Sequence, residues 1–394
     1  MPKTVRVFSP AKVNLHLEIG RRRPDGYHDA YSIMHALTLH DIVTMSLGEA
    51  PEASGLAVET SATCLGGVEA LDVATEDNIA TKAVRALARE FGRAADEKLV
   101  IAIEKRIPHA AGLGGGSSNA AAALMGACAL WGLPSADARV ERVAASLGAD
   151  VPFFLRGGCV ALSGRGDAFD HELVPMRRGL VVVRPDAGVS TAEAYRAFDE
   201  AADAGAAEEE AASAPGPGMQ TKAAMDDASS GTRDGSDLRL GVQAAYVTNA
   251  ADVALFNNLA QASERVLPEL SEIRAWLAAQ PGVGISATGA PEVLLSGSGS
   301  ATFAMVDDIA SALAIVSAAK LKGWWARSCA WRARDARGTL FESRRPEAGV
   351  VRERRDLVSC RIRDANLYAL RKIYVQMDIS PFITLHACIE LRIL

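Results

Sequence analysis

Residues 108–121 have the sequence PHAAGLGGGSSNAA and lie between a predicted strand, 98–104, and a predicted helix, 117–131. Four of the five residues from Gly112 to Gly116 are glycine. Because glycine has no Cβ, backbone N–H groups in such a loop can approach phosphate oxygens closely. A helix that begins directly after the loop adds its unpaired N–H groups and the positive end of its dipole. The stretch therefore predicts a phosphate-binding turn at the start of a buried, alanine-rich helix.

The predicted phosphate-binding residues are those of this loop and the two serines that follow it: Pro108, His109, Ala110, Ala111, Gly112, Leu113, Gly114, Gly115, Gly116, Ser117 and Ser118. A serine hydroxyl can donate to phosphate or ligate Mg²⁺, and Ser118 is the candidate contact to phosphate-bound Mg²⁺. The same residues also suit a tight turn capped by a serine, without a ligand.

The loop differs from two common phosphate-binding sequences. It lacks the GK[ST] of a Walker A sequence. Nor is it a Rossmann fingerprint, in which an acidic residue follows the glycines about 20 residues later. A lysine on the phosphates therefore comes from elsewhere in the chain or is not used.

The composition is that of a globular protein long enough for two domains, with 394 residues, 49% hydrophobic and 23% charged. A formal net charge of −6 argues against a general nucleic-acid-binding surface, so we expect a small-molecule ligand.

The six cysteines are scattered singly, which favours reduced thiols in a cytoplasmic protein. No run of 18 apolar residues occurs, so we expect no membrane segment. We expect a monomer or a homodimer.

A first domain of mixed α and β structure is predicted over residues 1–185. In residues 5–47 apolar and polar residues alternate in short runs, which predicts strands. Residues 78–91 and 138–147 have the apolar periodicity of helices. Residues 200–237 change to Ala, Glu, Asp, Ser, Gly and Pro, which predicts a disordered acidic insertion.

A second α+β domain is predicted over residues 238–330. Helical periodicity returns over 252–277, two short strands flank the turn GSGS, and a helix is predicted over 309–321. Residues 331–394 form an arginine-rich tail of unknown structure.

Four stretches together resemble the signatures of the GHMP kinases. These are the glycine-rich loop, SPAKVNLHLEIGRRRPDGYHDAYSIMHAL at 9–37, LGADVPFFLRGGCVALSGRGD at 147–167, and SGSGSATFAMV at 296–306. The resemblance covers residues 1–325 apart from the insertion. It implies a two-domain α+β fold, with an N-terminal domain like domain 2 of ribosomal protein S5 and a C-terminal ferredoxin-like domain. ATP and substrate would meet between the two.

The resemblance also implies a reaction and the residues that carry it. ATP would phosphorylate an alcohol, and the DGYH and GADVPF segments indicate a cytidine diphospho-sugar alcohol as the acceptor. Lys12 of PAK and Asp150 of GADVPF match the family's catalytic pair. The matching substrate-binding residues are Asn14, Tyr27, His28, Thr191 and Tyr195.

Each of these residues also has a structural interpretation. Asp150 precedes Val151 and Pro152 and could cap a helix, and Lys12 could be an exposed residue on a strand. Tyr and His in a β segment are more often half-buried packing residues. The family's acidic positions at the start of the second domain are empty, because the chain reads NNLAQA from Asn257.

Two alternative functions remain open from the sequence. The first is another GHMP kinase, of the mevalonate or homoserine type. The second is a nucleotide-binding family member that transfers no phosphate, although such a protein would need neither Lys12 nor Asp150.

Overall fold

The computed structural model describes residues 4–50, 55–70, 73–93, 96–213, 247–332 and 341–342. Its largest sheet is built on two long antiparallel strands, β1 (Thr4–Arg22) and β2 (His28–Glu49). The hairpin between them contains Gly26, whose φ of 86° lies in the left-handed region that favours glycine. The predicted β-rich opening is confirmed.

The sheet extends on both sides of this pair, with its strands in the order β12–β1–β2–β4–β3. The other strands of this path are β4 (Glu97–Lys105), which lies between β2 and β3, and the two end strands β3 (Leu56–Cys64) and β12 (Phe341–Glu342). Shorter strands join beside this path: β5 (Cys159–Ser163) pairs with β2, β6 (Ala168–Glu172) with β5, and β8 (Phe256–Asn257) with β1. Because β4 ends at Lys105, the sheet determines where the glycine-rich loop begins.

Four helices share a hydrophobic core with this sheet: α1 (Ile79–Glu90), α2 (Gly115–Trp131), α3 (Ala138–Leu147) and α4 (Val151–Arg156). The predicted helices at 78–91 and 138–147 are confirmed, and Asn78 caps α1 by accepting the N–H of Ala80. α2 begins at Gly115 rather than at Ser117, because Gly114 in a left-handed conformation turns the chain directly into the helix. α2 is buried on nearly all sides, as its alanine-rich sequence predicts.

A second sheet is antiparallel throughout, in the order β11–β7–β10–β9. Its strands are β7 (Gly179–Arg184), β9 (Val293–Leu295), β10 (Thr302–Val306) and β11 (Trp325–Cys329). Two helices pack against it, α7 (Glu269–Ala278) and α8 (Ile309–Leu321). β7 comes from within residues 1–185, yet all of its strand partners come from after the predicted insertion.

Two helix predictions differ from the structure in their bounds. α5 (Thr191–Ser213) continues past Glu200 into the predicted insertion, because this part is rich in alanine and glutamate, which favour helix. The prediction of one helical stretch over 252–277 is wrong. There the structure has β8, then α6 (Ala260–Val266), and then α7, which starts after Pro268, a residue without an N–H to donate.

Residues 214–237 of the predicted insertion, and all of the tail 331–394 except 331–332 and 341–342, lie outside the described residues. Within the described ranges, no helix has the length and apolar character needed to cross a membrane.

His35 on β2 is a fully buried imidazole. Its Nδ1 donates to the carbonyl of Ala36 at 3.0 Å, its Nε2 accepts the N–H of Met176 at 3.2 Å, and its ring lies 4.6 Å from that of Trp331. Burial lowers the pKa of His35 to about 4. The folded protein therefore holds this side chain neutral at pH values where the unfolded chain protonates it.

We expect His35 to make stability fall with acidity. As the pH falls from about 6.5 to about 4, the unfolded state binds a proton at this side chain and the folded state does not. This difference lowers the unfolding free energy by up to about 3 kcal/mol. Urea denaturation over this pH range measures the slope. His35→Gln should flatten it, and His171→Gln, at a side chain that is 24% exposed, should not; an unchanged slope in His35→Gln would contradict the assignment.

Candidate active site

A cleft of about 860 Å³ lies beside the glycine-rich loop. Its walls come from four strands of the first sheet, β1 to β4, the glycine-rich loop, the starts of α1, α4 and α5, and the turns that follow β5 and β9. The predicted site residues that line it are residues 108–117, Lys12, Asn14, Asp150, Thr191 and Tyr195. Tyr27, His28 and Ser118 lie outside its lining. One cleft thus brings together most of the residues that the sequence singled out.

Lys12 and Asp150 meet in this cleft. Lys12 Nζ lies 3.4 Å from Asp150 Oδ2, and Lys12 is only 4% exposed, so it is not a surface residue of the strand. The ammonium also donates to Asn14 Oδ1 at 2.6 Å, and Asn14 donates to Ser32 at 2.8 Å. Asp150 stands at the N-cap of α4, but its side chain makes no capping hydrogen bond. The carboxylate therefore remains directed to Lys12 and the cleft rather than to the helix backbone.

The glycine-rich loop is attached to both sheets. The N–H of Lys12 donates to Leu113 O at 3.0 Å, and Ser296 Oγ donates to Gly112 O at 3.0 Å. Gly112 has a φ of 71°, and a Cβ there would collide with the carbonyl oxygen of Ser296. At Gly116 the nearest atom to a Cβ would be Ile79 Cγ2, 3.9 Å away, so this glycine faces open space. The backbone here is held in place while its cleft side stays clear for a ligand.

The two serines after the loop occupy different places. Ser117 lines the cleft, whereas Ser118 is 1% exposed and accepts a 2.8 Å hydrogen bond from Ser9. The role of Ser118 toward Mg²⁺ stays a prediction. Among the described residues no group of three or more His, Cys, Asp or Glu side chains could hold a metal ion by itself. A magnesium ion here would depend on ligands from the nucleotide phosphates, which is its usual mode of binding.

Asp41 is a functional residue that the sequence reasoning missed. It is fully buried, and its carboxylate accepts the N–H groups of Arg106 at 2.6 Å and Ile107 at 2.8 Å. It also accepts from Asn119 Nδ2 at 3.0 Å and forms an ion pair with Lys105. These contacts tie the end of β4 to the first turns of α2, on either side of the glycine-rich loop. The signal in the sequence was a single acid inside an apolar strand pattern, which is costly unless it is paired.

The acceptor end of the cleft is the part lined by Asn14, Thr191 and Tyr195, three of the residues predicted to bind the acceptor. Thr191 Oγ1 lies 3.0 Å from Ser298 Oγ, which connects α5 to the turn after β9. Burial, with a contribution from the charge of Asp150, raises the pKa of Tyr195 to about 12, so its hydroxyl keeps its proton. The ring of His28 lies 5.1 Å from that of Tyr195, and His28 Nε2 lies 2.7 Å from Asp199. Tyr27 is 56% exposed.

The asparagines of NNLAQA hold the turn after β9 and the strand β1. Asn257 Nδ2 donates to the carbonyls of Leu295 and Gly297, each at 2.8 Å. Asn258 exchanges two hydrogen bonds with the backbone of Ile19, each at 2.9 Å. The segment NNLAQA therefore positions Gly297, which borders the cleft. In the sequence it was visible only as a difference from the family pattern.

Comparison with known proteins agrees with this geometry. Residues 78–158 match the family model described as the GHMP kinases N terminal domain. A 4-diphosphocytidyl-2-C-methyl-D-erythritol kinase of Salinispora arenicola (strain CNS-205) is 42% identical over 204 residues, which cover 51% of this chain and 61% of that relative. The protein of the same name from Streptomyces coelicolor is 36% identical over 323 residues, 82% of this chain and 94% of the relative.

A solved structure gives the same result. The crystal structure of a 4-(cytidine 5'-diphospho)-2C-methyl-D-erythritol kinase matches with a TM-score of 0.55 and 28% identity, covering 82% of this chain and 99% of the other. The fold is that of a GHMP kinase. Within that class, the chain belongs to the 4-diphosphocytidyl-2-C-methyl-D-erythritol kinase family.

We expect Asp41→Asn to lower both the stability of the fold and the affinity of the glycine-rich loop for ATP. The amide leaves Lys105 without its counter-ion, and breaking a buried pair in this way costs about 3–5 kcal/mol. Urea denaturation measures the loss of unfolding free energy. Titration with ATP measures the affinity of the loop for the nucleotide, which should fall.

The double variant Asp41→Asn/Lys105→Met is the matched control, because it removes the ammonium as well and should recover part of the stability. Equal destabilisation in the single and double variants would contradict a role for the Asp41–Lys105 pair.

Proposed function

We propose that this protein transfers the γ-phosphoryl group of ATP to the 2-hydroxyl of 4-diphosphocytidyl-2-C-methyl-D-erythritol. The reaction belongs to the non-mevalonate route to isoprenoid precursors. The observation that carries the proposal is the contact of Lys12 with Asp150, 3.4 Å apart, in a cleft that runs from the glycine-rich loop to the residues predicted to bind the acceptor.

The glycine-rich loop would bind the phosphates of ATP. Its backbone N–H groups and the N-terminus of α2 supply hydrogen-bond donors and a positive partial charge. Gly116 and Ser117 line the cleft, so the clear face of the loop and one hydroxyl would lie beside the nucleotide. Mg²⁺ bound to the phosphates would neutralise charge that develops during transfer.

Asp150 would act on the acceptor hydroxyl. An alcohol is a weak nucleophile, so a carboxylate that orients it and accepts its proton increases the rate. The acceptor oxygen forms a bond to the γ-phosphorus, the bond from that phosphorus to the β,γ-bridging oxygen breaks, and ADP leaves. Lys12, fixed by Asn14 and nearly buried, would stabilise negative charge on the transferring group.

The finer description of the fold also belongs to this proposal. The second sheet has the chain order strand, helices, strand, strand, helix, strand, which supports a ferredoxin-like C-terminal domain that begins with β7. The N-terminal part would then be the domain like domain 2 of ribosomal protein S5. Four free cysteines, Cys64, Cys128, Cys159 and Cys329, support a reducing, cytoplasmic environment.

A panel of acceptors tests the proposed reaction. Purified protein with ATP and Mg²⁺ should release ADP with the cytidyl acceptor, and not with mevalonate or homoserine. Turnover of mevalonate without turnover of the cytidyl acceptor would replace the proposal with a kinase for a different alcohol. Binding of ATP without turnover of any acceptor would favour a non-catalytic family member.

We expect Asp150→Asn to lower kcat by a factor of about 10²–10⁴, because the amide cannot accept the hydroxyl proton. ATP affinity should stay close to wild type, since the loop and α2 are unchanged. Steady-state kinetics and ATP titration give the two quantities. A kcat near the wild-type value would show that Asp150 is not the base.

We expect Gly116→Val to abolish ATP binding without unfolding the protein. The new side chain would enter the open space beside the loop, where a Cβ meets only Ile79 at 3.9 Å. Gly115 is a poorer test, because a Cβ there would press on Ile107 Cγ2 at 3.0 Å.

Gly48→Val is the matched control, since Gly48 lies on β2 with Lys98 O 4.0 Å from a Cβ. Titration calorimetry with ATP measures the effect, and the melting temperature checks the fold. Unchanged ATP affinity in Gly116→Val would contradict phosphate binding at this loop.

A further inference from the structure

The turn between β5 and β6 places an arginine beside the acceptor end of the cleft. The N–H of Ala30 donates to Gly164 O at 2.7 Å, and Ala30 and Arg165 form a β-bridge. Gly164 and Gly166 adopt φ values of 68° and 84°, so the chain turns sharply on either side of Arg165. The turn is thereby fixed to the start of β2, next to Tyr27 and His28.

The guanidinium of Arg165 is oriented by two neighbours. Its Nε and Nη2 donate to Asp167 Oδ2 at 3.1 and 2.6 Å. Its Cζ lies 5.1 Å from the centre of the Tyr27 ring, within the range of a cation–π contact. Both contacts hold the planar group while the side chain keeps 39% of its surface exposed. Arg165 also lines the cleft, which it shares with Asn14 and Tyr195.

Arg165 differs from the other cations that line the described part of the cleft. Lys12 is 4% exposed and already contacts Asp150 and Asn14. Lys105 is paired with the buried Asp41 beneath the glycine-rich loop, at the opposite end. Arg165 is thus the cation of this set that lies at the acceptor end and remains substantially exposed.

The neighbouring arginines of the hairpin have other contacts. Arg22 donates to Gly26 O at 3.5 Å, and Arg23 pairs with Asp25 and Asp29. Neither of them lines the cleft. Arg21 does not line the cleft either, so none of the three hairpin arginines supplies a second cation to this end.

A cytidine diphosphate linkage carries negative charge on both phosphoryl groups, between the base and the reacting alcohol. Asp150, Arg165 and Tyr195 line the same cleft, so with the alcohol at Asp150 and the base near Tyr195 that charge would lie within the cleft that Arg165 borders. Guanidinium groups bind phosphate oxygens through pairs of directed N–H donors, and such bonds are strong. We propose that Arg165, held by Asp167 and Tyr27, binds the diphosphate of the acceptor. This inference rests on the proposed function.

The test compares Arg165→Gln with Arg165→Lys. For Arg165→Gln we expect the KM of the cytidyl acceptor to rise about 10- to 100-fold, the range for losing charge-assisted hydrogen bonds, with the KM of ATP unchanged. Arg165→Lys should restore part of the affinity, because lysine keeps the positive charge but lacks the paired N–H donors of the guanidinium.

Arg139→Gln is the matched control. Arg139 also pairs with an aspartate two residues away, Asp137, and lies over an aromatic ring, Phe91, but it does not line the cleft. Arg139→Gln should leave both KM values at wild type. Melting temperatures check that the Arg165 variants fold.

Binding of CDP and of cytidine separates the diphosphate from the base. By calorimetry, Arg165→Gln should lose affinity for CDP and keep its affinity for cytidine. Equal losses for both would assign Arg165 to the base, through Tyr27, and would overturn the inference, as would an unchanged affinity for CDP. If wild-type protein binds CDP but turns over no cytidyl acceptor, the proposed reaction fails while the CDP comparison still decides the role of Arg165.

Discussion

The ion pair of Lys12 with Asp150 is the contact on which the rest of the site depends. The two residues are far apart in the chain, and they meet only because β1 runs past the glycine-rich loop and α4 begins at its far side. Lys12 also donates its backbone N–H to Leu113, so the strand that carries the ammonium also supports the loop. A shift of β1 would therefore disturb the predicted catalytic pair and the predicted phosphate site together.

The loop needs this support because its own sequence cannot hold it. Glycine loses more conformational entropy on folding than any other residue, and the face directed to the cleft must stay clear of side chains. The structure compensates from behind the loop. Asp41 holds the end of β4 and the start of α2, Ser296 binds Gly112, and Asn257 positions the turn that contains Gly297. Rigid supports of this kind keep the backbone N–H groups in place before any ligand arrives.

The sequence predicted the local parts of this arrangement and missed the contacts between distant residues. The position of the loop before a helix, the helix predicted over 78–91 and the bounds of α8 follow from short-range rules, and the structure confirms them. Asp41 was missed because its partners at 105–107 and 119 are close only in the folded chain.

The break at Pro268 and the pairing of β7 with strands from after the insertion were missed for a related reason. Helical periodicity does not show where a helix stops, and a short apolar strand does not show which sheet it joins. The predicted pair of Lys12 and Asp150 came from motif resemblance, and its geometry became visible only in the fold.

A crystal structure with a non-hydrolysable ATP analogue and the cytidyl acceptor tests the central claim most directly. We expect the nucleotide phosphates to lie against residues 112–117 and the reacting hydroxyl to lie about 2.6–3.2 Å from the Asp150 carboxylate. Phosphates bound away from the glycine-rich loop, or a reacting hydroxyl out of contact with Asp150, would contradict it.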